Sequence, residues 1–449
     1  MSLDDIMQRQ RARRWSSVRD HLLVLLAKHW HATAFMPGQE TVIEQVVFGR
    51  DVLAVMPTGG GKSLCYQLPA MIGRGLTVVV SPLVSLMTDQ VAALTRKGIA
   101  AAKLDSTMTP IEADDVARRA HRGDLRLLYM SPERLTGPEG MTLINRCVVD
   151  RIVIDEAHCI GTWGPDFRPA YQGLDVIRQL WPQTPILAVT ATADAVARRE
   201  IIHALQLRDP FVYVGSFDRP NLSLIVEGRR GAGVPRGQLA HWLTNGTGIV
   251  YCSTRNEVEA VTRLLLEWSF HAARYHAGLS DEERQQVQER FASGELDVVV
   301  ATVAFGMGID RPDVRTVIHT MMPPNIEQYH QEIGRAGRDG KPAHAVLLFA
   351  NDDVNYWEAV LGLEDYDALL GRGGAEAIQR ADPDGRLTAR YESLMAMHEY
   401  AAACGLGYDS TCRHAHLARH FGEDIPPCGN CCDACAVRAS SPGSSPEAT

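Results

Sequence analysis

From Asp51 onward the chain alternates short apolar runs with longer stretches of helical periodicity. The runs Val52–Met56, Leu76–Ser81, Leu125–Ser131, Arg151–Asp155 and Ile186–Thr190 have the length and β-branched content of buried strands. Helical stretches lie between them, which predicts βαβ units and a parallel sheet covered on both faces. Around Asp209-Pro210 the pattern restarts, with Gly248–Ser253, Asp297–Thr302, Arg315–Thr320 and Ala343–Phe349 as the next strands. This predicts a second α/β domain, with the boundary near 208–215. Residues 1–30 read as an amphipathic helix with a basic start. After Asn351 the apolar strands stop, and 355–438 read as helical with a Gly-rich break at Gly371–Gly374. The Ser/Pro-rich end, 439–449, is expected to be disordered. The expected architecture is α/β: an N-terminal helix (1–30), two tandem parallel-sheet domains (31–208 and 209–350), a small helical module (351–438) and a tail.

A chain of 449 residues exceeds one hydrophobic core, in keeping with this division. No apolar run has the length of a membrane span, and the arginines at Arg9, Arg11, Arg13 and Arg14 are not followed by the apolar stretch of a secretory signal. The net charge of −9 does not announce a nucleic-acid binder, yet local patches and backbone donors bind phosphates whatever the total. Four cysteines are scattered singly through apolar segments, whereas the other six lie between Cys404 and Cys435, a distribution that points to a reducing compartment.

Four clusters carry chemistry. Thr58-Gly59-Gly60-Gly61-Lys62-Ser63 follows an expected strand and opens an expected helix. Backbone N–H groups of such a loop cradle phosphate oxygens, Lys62 reaches the terminal phosphates, and the Ser63 hydroxyl suits Mg²⁺. Asp155-Glu156 ends an apolar strand. Alone that is a common solvated strand end. Beside a phosphate loop it reads as a metal-holding carboxylate with a neighbour that polarises water. Arg335 and Arg338 are three apart, so on a helix they would share a face and could stabilise charge on a γ-phosphate. A fourth grouping, Cys412, Cys428, Cys431, Cys432 and Cys435, offers five thiols for a four-ligand tetrahedral zinc site. The spacing admits either Cys431 or Cys432, and Cys404 stands without a paired neighbour.

The motifs resemble those of superfamily 2 helicases and, within them, the RecQ family. The resemblance runs from about Phe35 to Cys435. It rests on Thr58–Pro69, Ser81–Met87, Asp155–Ile160, Thr190–Ala193, Phe217–Leu222, Thr302–Asp310 and Gln328–Arg338. It implies two RecA-like domains with ATP in the cleft, single-stranded DNA across the top, and movement 3′ to 5′. Catalytic roles fall on Lys62, Asp155, Glu156, Gln328, Arg335 and Arg338, and nucleotide contacts on Gln39, Thr58, Gly59, Gly60, Gly61, Lys62, Ser63 and Asp310. Trp163, Phe167 and Arg168 resemble the family's aromatic-rich DNA-sensing loop, where aromatic faces stack on bases. Ser81, Arg219 and Asn221 are further DNA contacts by the same likeness. The family's Cys-Asp-x-Cys end matches Cys432-Asp433-Ala434-Cys435, which assigns Cys412, Cys428, Cys432 and Cys435 to a structural Zn²⁺.

The chain departs from the family in places. Pro165 stands where His is usual, and Gly161-Thr162 replaces Ser-Gln. Gln39 matches the adenine-reading Gln, but Ala32 and Met36 occupy the positions of the Tyr and Arg that usually sandwich the base. Trp30 or His31 are the substitutes at hand, and weaker discrimination for ATP over other nucleoside triphosphates is expected. The chain ends soon after Cys435, which fits a shortened form without the family's winged-helix domain. The expected cofactors are ATP, Mg²⁺ and Zn²⁺. The expected partners are single-stranded and tailed duplex DNA, with a single-strand binding protein as a further candidate, for a monomer in the bacterial cytoplasm at the nucleoid. An RNA helicase and an ATP-gated DNA-junction module are the alternatives.

Overall fold

All nine apolar runs form strands, and every one lies inside a sheet. The computed structural model describes residues 3–160, 169–229, 233–243, 246–302, 305, 311–364, 366, 382–383, 385–403 and 412–440. The contacts divide the chain into two units, 1–215 and 216–449.

The first unit is built on β1 (Val52–Val55), β2 (Leu76–Val80), β3 (Ala101–Leu104), β4 (Leu127–Met130), β5 (Val149–Ile154), β6 (Ile186–Thr190) and β7 (Phe211–Val214). They pair in parallel in the order β3-β4-β2-β5-β6-β1-β7. β1, β2, β4 and β6 are buried at every position, as a parallel sheet with helices on both faces requires. The first helix, Leu3–Trp30, lays Trp15, Val18, Leu22 and Leu26 on this core at spacings of three and four. Phe211–Val214 falls after the expected boundary but pairs with β1, so it belongs to the first sheet.

The second unit carries β8 (Leu222–Gly228), β9 (Gly248–Tyr251), β10 (Ala272–Tyr275), β11 (Val298–Ala301), β12 (Thr316–His319) and β13 (Ala343–Phe349). Their order is β10-β11-β9-β12-β13-β8, again all parallel. The helices Asp352–Leu361, Arg386–Ala402, Arg413–His420 and Asp433–Ser440 follow. The last of them and the residues before it dock on the sheet's edge strand: Leu224 N donates to the Cys431 carbonyl at 3.0 Å, and Val226 N donates to the Asp433 carboxylate at 3.1 Å. An open edge is thereby partly paired. The Gly-rich break at 371–374 and the tail beyond 440 lie outside the described residues. Among the described residues, no helix is long and apolar enough to cross a membrane.

The four strands without a sequence signal, β3, β7, β8 and β10, are the four edges of the two sheets. Edge strands keep one side in contact with solvent and so mix in polar residues. β3 carries Lys103, β8 carries Ser223 and Glu227, and β10 carries Arg274. β7 alternates half-buried with exposed positions.

Asp51, 4% exposed and just ahead of β1, ties the first sheet together. Its carboxylate accepts from Ile186 N at 2.9 Å, Arg208 N at 2.7 Å and the Arg178 guanidinium at 2.5 Å. Asp51→Ala leaves a buried guanidinium without its counter-charge, and a loss of about 3–5 kcal/mol is expected. Urea unfolding of the first unit's signal measures it. A loss below about 1 kcal/mol would show the carboxylate to be dispensable.

Candidate functional site

Four of the motifs emerge from the carboxyl ends of adjacent strands. The sheet order places β2, β5, β6 and β1 side by side. The residues that follow them are Ser81, Asp155-Glu156, Ala191-Thr192 and the loop Met56–Ser63. Helix N-termini and free loop amides collect at that edge of a parallel sheet, which is where such sheets bind ligands.

In the phosphate loop, Gly59 and Gly61 have φ of 82° and 72°, a left-handed backbone that side chains resist. Gly60 N closes a turn on the Pro57 carbonyl at 2.9 Å, and the helix Leu64–Ile72 starts directly after Ser63. Lys62 Nζ lies 3.2 Å from the Met56 carbonyl, folded along the loop's own backbone. Thr58 borders the loop and is half-buried.

Gln39 is 2% exposed and fully engaged with the backbone around this loop. Its Oε1 accepts from Met36 N at 2.8 Å, while Nε2 donates to the Gly61 carbonyl at 3.2 Å. A Cβ added at Gly61 would stand 2.1 Å from that Nε2 and 3.4 Å from the Met36 sulfur, so both side chains lie against the loop. Trp30 packs partly on the core beneath Lys97, whose ammonium is 5.8 Å from its ring centroid.

Asp155 is buried at the end of β5, anchored by its N–H to the Val80 carbonyl at 2.8 Å. Burial, and then the charge of Glu156, push its carboxyl up to about 7, with Lys62 pulling the other way. Glu156 has φ of 49°, a strained conformation for a side-chain-bearing residue. His158 Nδ1 stands 2.7 Å from Thr190 Oγ1 and 3.4 Å from the Glu156 carboxylate, linking the ends of β5 and β6. That link is invisible in the spacing, because it joins positions 32 apart. The Ser63 hydroxyl and the Asp155 carboxylate are hard oxygen donors that suit Mg²⁺. A divalent cation would also supply the positive charge that a buried carboxylate shifted in this way lacks. Ser81 is 1% exposed, with its N–H on the Met130 carbonyl at 3.0 Å. Trp163, Phe167, Arg168 and Asp310 lie outside the described residues.

The second unit holds Gln328 on the helix Ile326–Ile333. Its Nε2 donates to Glu332 at 3.2 Å, and Glu332 is 2.6 Å from His319 Nε2. The arginine pair is not helical. The helix ends at Ile333, and Arg335 and Arg338 sit in the turn beyond it. The chain cannot continue as a helix there because Gly337 has φ of 57°. Arg335 is 6% exposed and its charge acts on the buried Tyr251 hydroxyl, which donates to the Phe305 carbonyl at 2.9 Å. Arg219 and Asn221, expected from the resemblance to touch DNA, donate to carbonyls of this turn. Arg219 reaches those of Gly334, Ala336 and Gly337 at 3.0–3.3 Å. Asn221 Nδ2 reaches those of Gly337 and Lys341 at 2.9 and 3.0 Å. Tyr251, His319 and Glu332 escaped the sequence reading. The first two could have been sought as the last residues of β9 and β12.

The cysteine ambiguity resolves. The sulfurs of Cys412, Cys428, Cys432 and Cys435 all lie within 4.8 Å of one another, with 3.5 Å between Cys428 and Cys432. Four thiolates about 2.3 Å from one ion stand roughly 3.8 Å apart, so the cluster fits a closed tetrahedral zinc site. Cys431 is outside it, with its sulfur 3.8 Å from Asn430 Oδ1. Cys404 lies outside the described residues.

Comparison with known proteins agrees with this layout. Residues 36–199 match the family described as DEAD/DEAH box helicase, 237–340 the helicase conserved C-terminal domain, and 375–436 the RecQ zinc-binding family. An ATP-dependent DNA helicase RecQ of Pasteurella multocida is 42% identical over 89% of this chain. The chain spans 60% of that relative's length. A probable ATP-dependent DNA helicase RecS of Bacillus subtilis is 41% identical over 75% of this chain and 68% of its own. Among solved structures, the DUF1998 helicase MrfA bound to DNA superposes with a TM-score of 0.61 at 18% identity, covering 90% of this chain and 59% of that one. The Mycobacterium smegmatis helicase Lhr bound to ssDNA and AMP-PNP gives 0.58 at 21% identity, covering 87% and 57%. At these identities the likeness is one of fold.

Metal analysis of purified variants checks the zinc assignment. Cys431→Ser is expected to retain one zinc per chain, and Cys432→Ser to lose it. Stoichiometric zinc in Cys432→Ser would overturn the ligand set. In the phosphate loop, Gly61→Ala places a methyl against Gln39 at a left-handed φ, and nucleotide affinity should fall about tenfold or more in a fluorescent-nucleotide titration. Unchanged affinity would mean that the loop tolerates the side chain.

Proposed function

The chain belongs to the RecQ family of helicases, and we propose that it is an ATP-dependent DNA helicase moving 3′ to 5′ along the single strand of a tailed duplex. The observation that supports this reading best is the juxtaposition on β1 and β5 of a phosphate loop and a strained Asp155-Glu156 pair, in a chain that also carries a cysteine cluster of zinc-site geometry.

In this proposal the amides of Gly59, Gly60 and Gly61 and the ammonium of Lys62 bind the phosphates of ATP. Thr58 borders them. Ser63 and Asp155 would hold Mg²⁺, which neutralises charge on the phosphate oxygens when bound. Lys62 must leave the Met56 carbonyl to reach a phosphate. Glu156 accepts a proton from, or orients, the attacking water. Its left-handed backbone fixes where the carboxylate points, and His158 ties it to Thr190. Arg335 and Arg338 stabilise charge that develops on the γ-phosphate, and Gln328 acts beside them. Asp310 is proposed as a further nucleotide contact, and Trp163, Phe167 and Arg168, with Ser81, as DNA contacts. The zinc site is structural, since four thiolates leave no open coordination position. A repair or recombination role is proposed on family membership.

Gln39 reads adenine in this proposal only after giving up its bonds to Met36 N and the Gly61 carbonyl. That exchange of bonds, with Met36 in place of an aromatic partner, supports a weak preference for ATP. Hydrolysis of GTP within about tenfold of ATP is expected, each tenfold being 1.4 kcal/mol of discrimination. GTP turnover at background would refute it.

Strand displacement on matched duplexes with a 3′ or a 5′ tail tests the main reading, with ATP and Mg²⁺ present. Opening of the 3′-tailed duplex alone is expected, and Lys62→Ala should lower ATP turnover on the order of 100-fold or more. Opening of the 5′-tailed duplex would reverse the polarity. Stimulation of hydrolysis by RNA but not DNA would favour an RNA helicase. DNA-stimulated hydrolysis with neither duplex opened would leave a translocase or junction-binding module.

A further inference from the structure

The five residues Phe217–Asn221 form a strap within the second unit, and each anchoring contact is polar or aromatic. One end is fixed to the zinc-bearing helices. Phe217 N donates to the Glu423 carboxylate at 2.7 Å, and its ring stacks on Phe421 with centroids 4.2 Å apart and 13° between planes. The Asp218 carboxylate lies 2.7 Å from His414 Nδ1, on the helix that begins right after the ligand Cys412. The Phe217 carbonyl is 3.0 Å from His330 Nε2, on the helix that leads into the arginine turn.

The other end grips that turn. A helix leaves its last carbonyls without intrahelical donors, and a cation at that end also meets the negative end of the helix dipole. The Arg219 guanidinium meets the capping carbonyl of Gly334 and reaches on to those of Ala336 and Gly337 in the turn. Asn221 Nδ2 bridges Gly337 and Lys341 across the far side. The fit leaves no slack: a Cβ at Gly337 would stand 2.4 Å from Asn221 Nδ2. The carbonyls held by Arg219 lie on either side of Arg335, and those held by Asn221 lie on either side of Arg338.

We propose that Arg219 and Asn221 are positioning residues for nucleotide turnover, holding the turn 334–341 in the one shape that aims Arg335 and Arg338. The role rests on the reading of those two arginines as γ-phosphate ligands. Catalytic geometry is intolerant of displacement: a shift of about 1 Å costs on the order of 100-fold in rate. A planar guanidinium meets three carbonyls at once, a task a lysine ammonium performs poorly. Asp218 and the strap's aromatic anchor make the helices around the zinc cluster the base on which this turn is mounted.

The test combines ATP turnover at saturating single-stranded DNA, DNA affinity without nucleotide, and thermal unfolding. It uses Arg219→Ala, Arg219→Lys, Asn221→Ala, Arg335→Ala and the double variant Arg219→Ala/Arg335→Ala. The expected result for Arg219→Ala is a kcat loss of roughly 10- to 100-fold, with KM for ATP and DNA affinity within about threefold of the parent. Arg219→Lys should recover part of the loss. Asn221→Ala, which removes one amide at the rim, should show a smaller loss of the same kind even if Arg219→Ala folds poorly. The double variant should lose less than the product of the two single losses, because Arg219 acts through the turn that carries Arg335 and Arg338. Multiplicative losses in the double variant would overturn the positioning role. So would lost DNA affinity with kcat at saturation intact, which would return Arg219 to the DNA. Full activity of Arg335→Ala would instead overturn the assignment of the arginines themselves.

Discussion

The constraint on which the structure depends is the burial of a parallel sheet on both faces. Strands packed between two layers of helices disfavour polar side chains, so the candidate reactive groups collect at the carboxyl edge. In the first unit that displacement becomes a site. β2, β5, β6 and β1 are consecutive, and each leads into a segment that carries loop amides, a carboxylate or a hydroxyl. The same burial that forms the site perturbs it. Asp155 is close enough to the core for its carboxyl to resist ionisation, and it is Lys62 that counters this. The site therefore holds charge that a nucleotide and a divalent cation would complete.

The second unit answers the same constraint at its edge. β8 ends the sheet beyond β13, and the zinc-bearing helices cap it through Leu224 and Val226. Arg413, 1% exposed, ties that cap internally through both oxygens of Asp433 and the Tyr400 carbonyl. The module buries Leu394, Met397, Tyr400 and Phe421, and a metal ion on the four thiolates would cross-link this small core further. The strap Phe217–Asn221 then makes the capped edge and the arginine turn parts of one hydrogen-bonded assembly.

Legibility followed burial. Interior strands read as unbroken apolar runs and were visible, whereas edge strands mix in Lys103, Glu227 and Arg274 and were not. The phosphate loop and Asp155-Glu156 were legible because their chemistry is local: consecutive residues on one strand end. The arginine pair was legible as residues but not as geometry, since spacing suggests a helix while Gly337 forces a turn. Arg219 and Asn221 were named for DNA, and their bonds to a turn about 115 residues away had no trace in the motif itself. The engagement of Gln39 with Gly61 was hidden for the same reason.

By itself, the sequence determined the α/β class, the two-sheet organisation and the order of the motifs, and it named the candidate site residues. These follow from periodicity and residue chemistry, which act over a few neighbouring positions. Only the tertiary structure decided which of Cys431 and Cys432 joins the sulfur cluster, how Glu156 is tied to Thr190 through His158, and what holds the arginine turn. Each of these depends on where the chain returns in space. Hydrogen bonds and metal ligation act over about 3 Å and are indifferent to separation along the chain.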